Sequence, residues 1–200
     1  MSERDLPELS APIERLLADL GHERPFEAAL AGSAGSGRVY WRIGRAPRAH
    51  ILLASHAQDA DYGRFLSISR HLRSAGLEVP EIHGSDDAVR QVVLEDLGSV
   101  LLLQKAREAG FPGEGDPTAL ESAYTPALEA LSRWQRIGTA CMGGCPDLLD
   151  RVFDLGPLLW ETSYFSRRCA EESFGLAPER LAEPNLLAEL HRLAARVESH

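Results

Sequence analysis

Ala28-Ala29-Leu30-Ala31-Gly32-Ser33-Ala34-Gly35-Ser36-Gly37-Arg38-Val39-Tyr40-Trp41-Arg42-Ile43, with His50-Ile51-Leu52-Leu53-Ala54 a few residues on, is the stretch that decides the fold. It contains three short apolar runs. A Gly/Ser cluster separates the first two and Arg45-Ala46-Pro47-Arg48 precedes the third, and both separators are turn-forming. Together they predict a three-stranded antiparallel meander. The Gly/Ser segment does not read G-x-x-x-x-G-K-[ST] and leads into a strand rather than a helix, which excludes a Walker A loop.

Working outward, Ile13, Leu16, Leu17 and Leu20 recur at helical spacing, with Ser10 as N-cap, Pro12 in the first turn and Gly21 as a stop. After the meander, Tyr62, Phe65, Leu66, Ile68, Leu72 and Ala75 share one face of a helix over 59–76, with Arg64, Arg70 and Arg73 opposite. Glu78-Val79-Pro80-Glu81-Ile82-His83 reads as an edge strand because of its proline. Val89–Leu94 reads as another strand, with Gly84-Ser85-Asp86-Asp87 as the turn between them. An opening helix, then five strands with one helix among them, make a first lobe over residues 1–97. Beyond Gly98 the strand texture stops, and 100–109, 118–137, 147–174 and 185–197 read as helices of a second lobe, 98–200. Pro126 predicts a kink or late start, at a cost of about 3 kcal/mol in a helix interior. The spacing of Trp134, Trp160, Tyr164 and Phe165 suits core packing. The stripe of Leu186, Leu187, Leu190, Leu193, Ala194 and Val197 calls for a covering partner. The expected fold class is α+β.

Of 200 residues, 44% are hydrophobic and 26% charged, the proportions of a folded chain rather than a disordered one. The net charge of -9, without a basic patch, argues against nucleic acid as a partner. No apolar run nears the ~20 residues of a membrane span, and Met1-Ser2-Glu3-Arg4-Asp5 has no secretory character, so a cytoplasmic location is expected. Cys141, Cys145 and Cys169 are an odd number and read as free thiols; C-x₃-C alone is too loose for a zinc site. Lys105 is the chain's single lysine.

A small antiparallel sheet with one helix, followed through a short connection by helices, is the layout of kinase-like phosphotransferases. Leu94-Glu95-Asp96-Leu97-Gly98 resembles the hinge of the aminoglycoside phosphotransferase superfamily, and the chain is most similar to its branch of bacterial cell-wall amino-sugar kinases. The resemblance rests on 31–43, 65–82, this hinge and Leu128-Glu129-Ala130-Leu131-Ser132-Arg133-Trp134-Gln135, with a fainter likeness in 158–165. It implies a protein-kinase-like fold with adenine of ATP against the backbone of Glu95, Asp96 and Leu97. The phosphates would lie under Gly32, Ser33, Ala34, Gly35, Ser36 and Gly37. It also implies Mg²⁺ as cofactor and a sugar or amino-sugar hydroxyl as the small-molecule acceptor.

Two departures qualify that expectation. The third strand carries no lysine and the following helix no glutamate, leaving Arg42, Arg48 or His56 to supply positive charge. None of the seven histidines begins an H-x-D-x-x-x-x-N loop, so no catalytic residue or metal ligand is assigned in this chain. The sequence ends where that loop would begin, and the expectation is the amino-terminal portion of a longer kinase, inactive alone, whose terminal helix packs on the remainder or on a partner. The alternative is a non-catalytic, pseudokinase-type binding or regulatory module.

Overall fold

Helix α1 (Ala11–Asp19) starts where the Ser10 side chain accepts the Ile13 N–H at 3.5 Å, and Gly21, at φ +90°, follows its end. These are the cap and stop read from the sequence. The computed structural model describes residues 6–33, 37–113, 115–149 and 154–198. Its chain divides into two compact units, 1–149 and 150–200.

In the first unit, strands β1 (Ala28–Ser33), β2 (Val39–Ile43) and β3 (His50–Ala54) form the expected meander. After helix α2 (Tyr62–Ser74) come β4 (Ile82–Asp86) and β5 (Gln91–Glu95), giving a five-stranded antiparallel sheet in the order β1-β2-β3-β5-β4. Successive strand residues face opposite sides. Trp41, Ile43, Leu52 and Val93 therefore pack against Ile13 and Leu17 of α1, while Leu53, Val92 and Leu94 pack against Tyr62 and Leu66 of α2. Burial on both faces explains why β3 and β5 lack a polar alternation. Buried Gln91 ties the segment before α1 to β5: its Nε2 donates to the Glu8 carbonyl at 2.7 Å and its Oε1 accepts from the Ser10 N–H at 3.1 Å.

The last two strands lie later than their sequence suggested. Residues 78–81 run irregularly because Pro80 has no N–H for a ladder, so β4 takes in Gly84, Ser85 and Asp86 instead. The turn falls at 87–90, with Arg90 at φ +54°, and Val89 belongs to it rather than to β5.

Helices α3 (Leu102–Glu108), α4 (Pro117–Arg133), α5 (Thr139–Cys141) and α6 (Pro146–Leu149) complete this unit, a π-helical turn over Trp134–Gly138 linking α4 to α5. Of the kink or late start expected at Pro126, the late start does not occur: α4 begins at Pro117 and runs through Pro126. The preceding Thr125 hydroxyl donates to the Glu121 carbonyl at 2.8 Å, in the turn before the proline. The second unit contains α7 (Leu155–Phe165), a π-helical stretch over Ser166–Ser173, α8 (Pro178–Leu181) and α9 (Pro184–Glu198).

Here the core expectation fails. Trp160 is 59% exposed, and Tyr164 and Phe165 are also exposed, because this side of α7 meets no covering element within its unit. Leu187, Leu193 and Val197 on α9 are exposed as well, leaving the predicted stripe largely uncovered. No helix among the described residues is long and apolar enough to cross a membrane.

Candidate functional site

Helix α2 covers only part of its sheet face. Beside it lies a cleft of about 400 Å³, floored by Ala31, Tyr40, Arg42, Ile51 and Leu94 and bordered by Pro80, the 95–99 segment and Leu101. The floor follows from alternation. Tyr40 and Arg42 are two apart on β2, and Tyr40, Ile51 and Leu94 belong to the apolar cluster under α2. Small Ala31 leaves the space open at the β1 edge.

The hinge end is electrostatically built. Arg42 Nε donates to Asp96 Oδ2 at 2.6 Å and Nη2 to Oδ1 at 3.0 Å, a bidentate pair, while Nη2 also reaches the Gly98 carbonyl at 3.1 Å. Asp96 Oδ1 accepts the Gly98 N–H at 2.9 Å, so one carboxylate shapes the turn and anchors it to β2. Bonding to Arg42 holds the Asp96 carboxyl below its ordinary range, and the same bond raises the Arg42 guanidinium. The Glu95 side chain turns to the sheet edge, accepting the Glu81 N–H at 3.0 Å and an Arg73 N–H at 3.4 Å. Leu97 is 70% exposed beside the cleft, and no hydrogen bond among the described residues engages its N–H.

Outside the cleft's lining, at the far end of these strands, Gly32 and Ser33 close β1, and Gly37 stands before β2 at φ +75°, a conformation that favours glycine. Ala34, Gly35 and Ser36 lie outside the described residues. Here Arg38 Nε donates to Asp59 Oδ2 at 2.7 Å, and the Ser55 hydroxyl reaches the same oxygen at 2.5 Å. With the Asp61 N–H on Oδ1 at 2.9 Å, these donors, Arg38 foremost, pull the Asp59 carboxyl down to about 2.

No protein-family model and no curated protein matches this chain.

The structure thus brings Arg42, Glu95, Asp96 and Leu97 together at the cleft, whereas Gly32, Ser33 and Gly37 lie outside its lining, farther along β1 and β2. Glu95 contributes backbone position rather than its carboxylate. Sequence reading missed the Arg38–Asp59 pair and the partner of Arg42. The alternation Arg38, Tyr40, Arg42 on one strand could have flagged both arginines as facing one side. Behind the cleft, His22 Nε2 and His50 Nδ1 lie 2.8 Å apart, with the His83 ring edge-on to His50 at 4.8 Å between centroids. Burial lowers the pKa of His22 and of His50.

A larger groove, about 640 Å³, lies between α7, α8 and α9. Of its charged neighbours, Arg167 and His191 are exposed and Glu171 is half-buried, and no hydrogen bond among the described residues joins them to one another. The cleft is the better site because its polar groups are part-buried, mutually bonded and convergent. Cys141, Cys145 and Cys169 are free, and no cluster of three His, Cys, Asp or Glu among the described residues is arranged to hold a metal ion.

Proposed function

We propose that this chain is the nucleotide-binding portion of an ATP-dependent small-molecule phosphotransferase of the aminoglycoside phosphotransferase-like class, acting on a sugar or amino-sugar hydroxyl. The observation that carries the reading is the cleft on the α2 side of a sheet ordered β1-β2-β3-β5-β4, bordered by the 95–99 hinge and reaching Ala31 on β1. Its apolar floor of Ala31, Ile51 and Leu94 suits a flat purine, and the exposed Leu97 N–H offers the hinge donor that a base nitrogen needs. Nucleotide phosphates would lie toward Gly37, and Mg²⁺ would arrive with them to neutralise their charge. The chain's own residues bind and orient; the acceptor and the general base belong to the wider enzyme.

A ligand that binds only the folded state raises the melting temperature as RT ln(1 + [L]/Kd). Mg-ATP and adenosine are therefore expected to raise it in the native chain, and Ala31→Phe, which fills the cleft, to abolish the rise. No shift with either ligand at saturating concentrations overturns the reading.

The second reading, a non-catalytic binding module, is favoured by one observation. Leu53, on the cleft-side face of β3, is fully buried against Tyr62 and Leu66, so the third strand presents hydrocarbon where kinases place a lysine. Such a module predicts no nucleotide-linked stabilisation.

A further inference from the structure

We propose that Arg38, held in position by Asp59, is the residue that recognises the nucleotide's phosphates. This rests on reading the cleft as a nucleotide site.

Arg38, Tyr40 and Arg42 alternate along one strand and so project from the same face. At about 3.3 Å per residue, four residues separate the two arginines by about 13 Å along β2. Arg42 is committed to the hinge through Asp96. Arg38 stands at the end that adjoins Gly37. A ligand lying along β2 with its base at the hinge therefore directs its distal groups toward Arg38.

The Arg38 site is preorganised. Asp59 receives the Arg38 Nε–H, the Ser55 hydroxyl and the Asp61 N–H, which fixes the carboxylate at the junction between β3 and α2. The guanidinium carbon also sits 5.2 Å from the centroid of the Phe65 ring on α2. A planar guanidinium held along its Nε edge and against an aromatic ring keeps little freedom to lose on binding. Its fork is the shape that phosphate oxygens accept, and a charge-assisted bond of this kind is about twice as strong as a neutral one.

Arg38 lies outside the cleft's lining and is itself paired with Asp59, its side chain 13% exposed, so a phosphate would join that pair through the guanidinium nitrogens beyond Nε. The other cations near this end are engaged elsewhere or distant. Arg90 Nη1 donates to the Asp59 and His56 carbonyls, and its guanidinium lies over the Tyr62 ring. His56 accepts the Gln58 N–H through Nδ1. Arg48 belongs to the β2–β3 turn at the far end of the strand, where its N–H bonds the Arg45 carbonyl. The one lysine, Lys105, is on α3 and pairs with Glu108.

The test compares the affinities of adenosine, AMP, ADP and ATP with Mg²⁺ for the full chain, for Arg38→Gln and for Arg38→Lys. In the native chain affinity should rise as phosphates are added. Arg38→Gln should lose roughly tenfold on ATP while leaving adenosine unchanged. Arg38→Lys retains charge but not the fork, and should lose several-fold on ATP alone. If Arg38→Gln does not fold, Arg38→Lys decides by the same ratio. An ATP-to-adenosine ratio equal to that of the native chain overturns the role of Arg38 while leaving the cleft a nucleoside site. A native chain that binds neither adenosine nor ATP overturns both.

Discussion

In the sheet, Ile43, Leu52, Leu53, Val92 and Val93 are removed from water completely, with α1 on one face and α2 on the other. Across residues 154–198, whose helices are at least as leucine-rich, Ala170 and Ala194 are the buried residues among those described, and Trp160, Phe165, Leu187 and Val197 stand exposed. Both regions carry the patterning expected of their secondary structure. They differ in whether the complementary surface is present. A sheet whose two faces are met by helices from its own neighbouring sequence closes a core locally. A pair of helices packed on each other covers one stripe and leaves the rest to whatever else they meet.

That contrast can be broken most sharply by truncation. Leu52→Ala should destabilise the chain by about 2–5 kcal/mol, through lost transfer energy and the cavity left under α1. Leu193→Ala should cost under about 0.5 kcal/mol. Urea denaturation of both variants checks this, and similar costs would mean that α9 is covered after all. The next largest effect is expected at the hinge. Asp96→Asn breaks a bidentate charge pair and should cost about 1.5–3 kcal/mol. A double-mutant cycle with Arg42→Met should recover most of that as coupling; additive losses would show that the pair does not hold the cleft wall.

Two pH windows sharpen the comparison further, because both sets of groups belong to the first unit. Asp59 is depressed from 3.8 to about 2 in the folded state. Its contribution is therefore whole above about pH 4 and is lost as pH falls from there to about 2, where the unfolded chain has bound a proton that the folded chain resists. Asp59→Asn should flatten that limb of a stability-versus-pH curve. The smallest expected effect lies near neutrality. His22 and His50 have folded pKa values below the usual 6.5, so the unfolded chain protonates first and stability declines as pH drops below about 6.5. His50→Phe should reduce this slope without changing the acid limb, leaving the part due to the burial of His22, and an unchanged slope would assign it to other groups.

Much of this protein is readable one residue after another. The Gly/Ser cluster marks the β1–β2 connection and the Leu94–Gly98 segment marks the end of the sheet, because turn chemistry and hydrophobic period are local properties of the backbone. The cap at Ser10 and the stop at Gly21 are equally local. The start of β4 is less so: Pro80 forbids a ladder bond, but only the pairing of β4 with β5 decides where the strand resumes.

Sequence by itself determined the five strands and their order along the chain, the helical character after Gly98 and the hinge segment that borders the cleft. Tertiary structure alone decided that Arg42 reaches Asp96, 54 positions away, that Arg38 reaches Asp59, 21 away, and that three histidines from separate segments meet edge to face. It also decided which apolar stripes are covered. Periodicity records the face on which a side chain lies, whereas an ion pair or a buried surface depends on what the folded chain brings opposite that face.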